Sequence, residues 1–511
     1  MKFILENKDK KYIVLYTLVF VFSIIFLLQI LRYFNLNSRI ADLGFFESNS
    51  FSIYIEPARS IFGHFQPFLF FFGIFYKLFP GNIALCLIFA FQNILIAYSL
   101  YLIYKYYGFI TYLMVLVSPP LWFLCINDFH VDFMVLPIST VFFILSKKNN
   151  FITALLISLL FILIKETYIL LIASCSIYIF FINQNKSKIV SLLSILFFIF
   201  GISLYFIVNI YILDFLIPDY FFNSLGNSAY SGSGSNIYYR LLDIISNISN
   251  IFLDIEKIKY ILLLLSFFVF IPIISLLPLV VALPIIFISL LSNNPGYYSI
   301  SNHYTAGIII PLAVSFYYGY NKLVKRFNIS IYKIIILFSL ILHILFSPSP
   351  ISRYWWNKST DYSYINYTLS ERNNIIRNAI LTYIPSNKEI ILTSINSLNY
   401  YVLSNRLVYL PFNLGLSKPY IQPNFSSVRF IDYLNYINDS KSNFNNSKFI
   451  SDFIIIDLNR KIYLIDKGCD LKLTNCSDQY IYQEFMYSFN QLPKYFDLIF
   501  SYDNFYIYKR K

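Results

Sequence analysis

Ile13-Val-Leu-Tyr-Thr-Leu-Val-Phe-Val-Phe-Ser-Ile-Ile-Phe-Leu-Leu-Gln-Ile-Leu31, with Lys8, Lys10 and Lys11 before it and Ala41-Asp42-Leu43-Gly44-Phe45-Phe46-Glu47 after it, decides how the rest of the chain is read. The apolar run is long enough to cross a hydrocarbon core as a helix. The lysines before it favour a cytoplasmic N-terminus. Its core is too long for a signal peptide and no small-residue cleavage site follows, so it reads as a retained anchor. Asp42 then stands just past the outer end of a first membrane span.

Composition extends that reading to the whole chain. Of 511 residues 58% are hydrophobic and 13% charged, and the mean hydropathy is +0.63. A soluble protein of this size would leave too much apolar surface in water, whereas a chain of repeated apolar runs is a polytopic membrane protein. The net charge of +13 sits largely in short loops between those runs, where it sets topology. It does not point to nucleic acid, and no nucleic-acid partner is expected. Cys86, Cys125 and Cys175 lie in apolar runs and read as packing residues. Cys469 and Cys476 lie in the polar tail, as a small disulfide loop or as two free thiols.

Positive residues favour the inner side. Placing Lys105, Lys147, Lys148, Lys186, Lys188, Lys322, Lys325 and Arg326 there gives a consistent path of roughly eleven spans. These cover 12–31, 83–104, 109–125, 131–146, 151–164, 167–183, 189–212, 259–273, 277–292, 304–320 and 331–347. Segments 151–183 and 259–292 each fit one long tilted helix or a pair of short ones, and the pair keeps the lysines inside. Phe68 to Phe79, bounded by Pro67 and Pro80-Gly81, is too short to span and suits an interfacial or re-entrant helix. The odd count puts the tail outside. Ser347-Pro348-Ser349-Pro350 breaks the last helix, so residues 1–349 form the membrane domain and 350–511 an extracytoplasmic α/β domain. In the tail, Glu389–Thr393 and Phe453–Asp457 read as buried strands and Leu498–Tyr508 as a hairpin turning at Asp503-Asn504. The outer loops are 32–82 and 213–258. The second carries Ser231-Gly-Ser-Gly-Ser235, a flexible linker or gate that lacks the strand and lysine of a phosphate-binding loop.

Ionisable residues at a membrane are costly and mark function by default. On this path three clusters share the outer face. They are Asp42 and Glu47 with Gly63-His64-Phe65-Gln66-Pro67; Asn127-Asp128-Phe129-His130-Val131-Asp132; and Ser301-Asn302-His303-Tyr304. Lys165-Glu166, between two short apolar runs, faces the same side. Asp128, His130 and Asp132 alternate, and an extended strand would point all three one way; the set reads as divalent-cation ligands or as a polar loop. Taken singly, Asp42 also suits a helix N-cap, His64 a turn, and Lys165-Glu166 a self-neutralising pair. His343, inside the last span, reads as a packed core residue. Trp355 and Trp356 read as interfacial anchors.

The short spans, the outer-loop Asp and the large outer tail resemble the GT-C superfamily of polyprenyl-phosphate-sugar-dependent glycosyltransferases. The closer resemblance is to the bacterial and archaeal membrane family DUF2079. It is carried by Asp42-Leu43-Gly44-Phe45-Phe46-Glu47, Gly63-His64-Phe65-Gln66-Pro67, Asp128-Phe129-His130-Val131-Asp132, Lys165-Glu166 and His303-Tyr304, in order over about residues 40–345. In the tail, Ile384-Pro385 and Ser404-Asn405-Arg406 also fit, each before a strand. Two positions depart from the family pattern: Ser48 follows Glu47 where a Gln is usual, and Val131 follows His130 where a Pro is frequent.

The resemblance implies a GT-C-like enzyme in the bacterial cytoplasmic membrane. It would move a sugar from a polyprenyl-phosphate donor to a hydroxyl of a glycan, lipid or protein acceptor on the extracytoplasmic face. Asp42 would be the general base with Glu47 beside it, and desolvation at the membrane edge would raise a carboxylate's pKa toward a useful range. Lys165, His303 and Arg353 would offset the leaving phosphate's charge, with His64, Gln66, Glu166 and Tyr304 also binding substrate. Asp128, His130 and Asp132 would hold Mg or Mn or grip the sugar. A transporter or flippase, or a non-catalytic scaffold, are the alternatives from other classes.

Overall fold

The computed structural model describes residues 7–36, 65–79, 81–127, 129–183, 187–209, 254–292, 296–327, 332–385, 391–394, 406–409, 453–459, 489–490, 492–493 and 496–511. Asp42, Glu47, Ser48, His64, Asp128, the loop 213–253, Cys469 and Cys476 lie outside the described residues.

The chain is mostly helical. In order, the helices are α1 (Asn7–Phe34), α2 (Leu69–Leu78), α3 (Gly81–Leu116), α4 (Pro119–Ile126), α5 (Val135–Lys147), α6 (Phe151–Ser158), α7 (Leu170–Asn183), α8 (Lys188–Phe206), α9 (Ile255–Ser266), α10 (Leu283–Leu291), α11 (Ala306–Phe327), α12 (Tyr332–Phe346) and α13 (Glu371–Tyr383), with a single turn at Arg353–Trp356. Among the described residues five strands follow: β1 (Ile391–Ser394), β2 (Arg406–Tyr409), β3 (Phe453–Asp457), β4 (Phe496–Tyr502) and β5 (Phe505–Arg510). Among the described residues four helical runs are long and apolar enough to cross a membrane: Lys10–Phe34, Asn82–Leu116, Glu166–Asn183 and Lys188–Asn209. Leu69–Leu78, Phe151–Leu163, Leu277–Leu291 and Tyr332–Phe346 are apolar but shorter. Tyr16, Val19 and Phe20 on α1 and Ile189, Leu192 and Ile199 on α8 are more than half exposed, an apolar surface that suits lipid rather than water.

Contacts divide the chain into two compact units. One comprises residues 1–27, 90–127 and 131–364, the other residues 28–89, 128–130 and 365–511.

In the first unit the helices are repeatedly broken. α3 stops being helical at Gly108 (φ 86°, ψ 168°), a conformation closed to residues with a Cβ. The break falls between the spans expected at 83–104 and 109–125. The second of these breaks again before α4, which opens with Pro119-Pro120, residues that suit a first helical turn but cannot continue one. Segment 151–183 is a pair, not one tilted helix: α6 runs through a 3-10 turn (Leu159–Leu163), Lys165 is extended (φ −167°, ψ 151°), and a second 3-10 turn (Glu166–Ile169) leads into α7. Segment 259–292 breaks at Val269 and Phe270, both left-handed, before 3-10 turns Ile271–Ser275 and Leu277–Ala282 and then α10. α11 packs against α5 and against those two 3-10 turns. It is buried without interruption from Ala306 to Phe316, the mark of a helix apolar all round. His343 is packed as its sequence suggests: Nδ1 lies 2.8 Å from the Val117 carbonyl oxygen and the ring meets Trp122 edge-on.

In the second unit the sheet order is β2-β1-β3-β5-β4. β2, β1 and β3 are parallel, while β5 runs antiparallel to both β3 and β4. All five residues of β3 are buried, as a strand covered on both faces requires. The β4–β5 hairpin turns through Asp503 and Asn504, both at positive φ, the type I′ geometry that Asn and Asp tolerate. α13 is capped by Ser370, whose side chain accepts from the Asn373 N–H, and packs on β4 and β5. Arg372 donates to both carboxylate oxygens of Asp457 at 3.0 and 2.9 Å and to Asp503. Asn35, just beyond α1, joins the same unit: its Nδ2 donates to the Asn366 carbonyl, and its Oδ1 accepts from Ser370 N and Asn373 Nδ2.

Candidate functional site

Three of the helix breaks in the first unit carry buried ionisable residues. The chain leaving α4 passes through a 3-10 turn (Val131–Met134) that holds Asp132. The break between α6 and α7 holds Lys165 and Glu166. The 3-10 turn His303–Thr305 leading into α11 holds His303 beside Tyr304. Asp132, Lys165, Glu166 and His303 are all at most 5% exposed. Four ionisable groups in an apolar helical unit are costly, and irregular backbone at that depth survives only where protein or a cavity surrounds it.

Local hydrogen bonds set these side chains. The Tyr168 hydroxyl donates to Asp132 Oδ1 at 2.6 Å, a short charge-assisted bond. Gly307 makes room for that ring: a Cβ there would lie 2.9 Å from Ile285 Cγ1 and 3.4 Å from Tyr168 Cε1. The Lys165 ammonium sits 5.3 Å from the centre of the Tyr304 ring, within cation–π range. Tyr304 stacks on Tyr297 at 4.1 Å and touches the His303 ring at 4.2 Å. Asn127 holds the loop ahead of α11, with Nδ2 donating to the Ser301 carbonyl at 2.8 Å and Oδ1 accepting from the Tyr362 hydroxyl at 2.7 Å. Asn302 Nδ2 donates to the Gly296 carbonyl at 2.9 Å.

Asp132 and His303 each present a metal-binding atom within 4.8 Å of the other. His130, two residues before Asp132 in the chain, is also buried. A carboxylate with imidazole donors is a donor set for a first-row transition metal more than for magnesium, which prefers oxygen alone. Tyr168 would then orient the ligating carboxylate from the second shell, as such partners do at metal sites.

The structure thus differs from the alternating-strand picture of Asp128, His130 and Asp132. Val131 begins a 3-10 turn, so Asp132 does not project from an extended strand, and Asp128 lies outside the described residues. The donor that meets Asp132 from elsewhere is His303. Lys165, Glu166, His303 and Tyr304 are brought together with Asp132. Arg353 is not: it is exposed, its guanidinium lies over Phe346 and Tyr354 at 5.6 and 5.4 Å, and among the described residues it makes no ion pair. Gln66 is buried in the second unit, where its carbonyl accepts from the first N–H of α2. Tyr168, Tyr297 and Asn127 shape the site without having been singled out as site residues from the sequence.

A polytopic bundle with buried charge at its helix breaks is a membrane protein with an internal polar site. The family described as predicted membrane protein (DUF2079) matches residues 43–451, and the chain belongs to that family. No curated protein matches it, and no solved structure does.

Proposed function

We propose that the protein is a membrane glycosyltransferase that moves a sugar from a polyprenyl-phosphate donor to an acceptor hydroxyl on the extracytoplasmic face. The observation that carries this reading is the group formed by buried Asp132, Lys165, Glu166 and His303 with half-buried Tyr304, held by Tyr168 and Asn127. It provides cationic side chains for a phosphate and polar and aromatic ones for a sugar. In the reaction the Asp42 carboxylate takes the proton of the acceptor hydroxyl. The acceptor oxygen bonds to the anomeric carbon as the bond from that carbon to the phosphate oxygen breaks, and polyprenyl phosphate leaves. Lys165 offsets the charge on the departing phosphate, and His303 adds to it as an imidazolium when no cation is bound. Glu47 as a further catalytic carboxylate and His64 and Gln66 as substrate contacts are what the family resemblance implies. Asp132 and His303 would hold a divalent cation, which when bound supplies further positive charge for the phosphate.

This reading carries a topology: about eleven spans, N-terminus inside, residues 350–511 as an extracytoplasmic α/β domain, and a bacterial cytoplasmic membrane location. Its test is release of labelled sugar from a panel of polyprenyl-phosphate donors by the purified protein in lipid, compared with Lys165→Met. Loss of turnover in that variant supports the reading. Full turnover in it removes Lys165 from the phosphate site. One observation favours a second reading, transport of a lipid-linked or small anionic substrate. Transporters also place substrate at discontinuous helices, and the Lys165 break is one. Labelled substrate accumulating intact inside vesicles, with no sugar released, would favour that reading over transfer.

A further inference from the structure

Away from the buried site, the break at Gly108 and the end of α5 bring three lysines together in the first unit. Lys147, in the last turn of α5, donates to the Tyr106 carbonyl and to the Tyr317 hydroxyl (3.2 Å). Its ammonium lies 4.6 Å from the Tyr107 ring centre and 4.3 Å from that of Tyr317. Lys147 is therefore committed to joining α5, α3 and α11, in part by satisfying a carbonyl at a helix end. Lys148 and Lys105 are not used in this way. Their ammonium groups lie 4.8 and 5.5 Å from the centre of one ring, that of Tyr106, and both side chains are exposed. Among the described residues no carboxylate pairs with any of the three. The space beside them is open, because a Cβ at Gly108 would meet nothing within 4 Å.

Uncompensated lysines around interfacial tyrosines, at the ends of membrane helices, meet the headgroup layer of the bilayer. Basic pockets between such helices recognise anionic headgroups on the cytoplasmic side. We propose that Lys105 and Lys148, oriented around Tyr106 by the Lys147 clamp, bind the phosphate of an anionic phospholipid in the inner leaflet. Two ammonium groups flanking one ring match a phosphodiester with a net negative headgroup. A zwitterionic lipid would bring its own cation into the same space. The site uses none of the residues of the glycosyl-transfer reading, but its place in the inner leaflet rests on the topology given with that reading.

The test is native mass spectrometry of the full-length protein with phosphatidylglycerol or phosphatidylcholine added in equal amounts. The double variant Lys105→Gln/Lys148→Gln keeps the Lys147 clamp intact. The expected result is selective retention of phosphatidylglycerol by the wild type and a weakening of about ten- to thirtyfold in the double variant. Lys322→Gln/Lys325→Gln, which changes the net charge equally elsewhere, should leave retention unchanged. Equal retention of the two lipids, an unchanged double variant, or an equal loss in the Lys322/Lys325 variant would each overturn the proposal. So would displacement of the lipid by millimolar inorganic phosphate, which would show that the site reads a free anion.

Discussion

Replacing Arg372 with Met should open the sheet of the second unit, by an amount the geometry sets. Arg372 is about one quarter exposed (23%), whereas Asp457, its bidentate partner at 2.9 Å, is fully buried (0%). Removing the guanidinium strands a buried carboxylate, which costs about 3–5 kcal/mol in comparable pairs. Asp457 keeps the Asn459 N–H at 3.0 Å, and water can reach the vacated position, so the lower end applies, about 3 kcal/mol. That corresponds to faster amide exchange in β3 and β5 on the order of 10²-fold if exchange follows local opening. Asp503 is half exposed (52%), so Asp503→Asn should cost at most about 1 kcal/mol, a change of roughly fivefold. Hydrogen exchange of the full-length protein in lipid, read on peptides covering 453–457 and 505–510, measures both. The double variant Arg372→Met/Asp457→Asn should regain most of the protection. Burial works against the Arg372 charge, but the Asp457 and Asp503 carboxylates outweigh it and hold its pKa above the usual value. A raised pKa gives stability that is lost only as pH rises through it, so this contribution does not fade at neutral pH. Unchanged protection in Arg372→Met, or equal effects of Arg372→Met and Asp503→Asn, would refute the reasoning.

Gly307→Ala should destabilise the first unit by about 1–3 kcal/mol, because its Cβ would overlap Ile285 and press on Tyr168. A thermal unfolding scan in detergent checks this, and an unchanged midpoint would mean α11 does not approach Tyr168 that closely. Gly108→Ala should cost a similar amount, about 1–3 kcal/mol, through backbone strain alone, although it has ample space. Gly108→Asn should cost about the same, because at ψ 168° the backbone lies outside the left-handed basin that Asn tolerates; an unchanged unfolding midpoint in both variants would remove the strain. Protein purified without chelator should carry a transition metal that Asp132→Asn and His303→Gln each reduce at least about tenfold, as loss of a ligand requires. Equal metal content in wild type and both variants, read by elemental analysis, would remove the cation from the site.

Much of this architecture is written in local signals. Asp503-Asn504 between two β-rich runs specifies a tight hairpin turn, and β3 is a continuous apolar run as a doubly covered strand must be. Pro119-Pro120, and a charged pair inside apolar sequence at Lys165-Glu166, mark breaks in helices. What local pattern does not carry is how the broken pieces meet. Tyr168 carries no signal of its own in a chain with 46 tyrosines; it matters because the break at Lys165 turns it toward Asp132, 36 residues earlier. The alternation of Asp128, His130 and Asp132 suggested a strand, but Asp132 lies in a 3-10 turn that begins at Val131, and Asp128 lies outside the described residues. Arg353 follows the last apolar run and carries a charge suited to phosphate, yet the aromatic faces of Phe346 and Tyr354 hold it at the surface. The Arg372 network joins residues 85 and 131 positions apart, a separation beyond any periodicity argument.

The measurement that bears most directly on the proposed function is turnover of polyprenyl-phosphate sugars by wild-type protein and by Asp42→Asn, in lipid and with an acceptor panel. The prediction is donor cleavage coupled to acceptor glycosylation in the wild type and a fall of at least about a hundredfold in the variant, the range expected for loss of a general base. Asp42→Asn turning over at the wild-type rate, or no donor in the panel being cleaved by folded wild-type protein with or without added divalent cation, would contradict it.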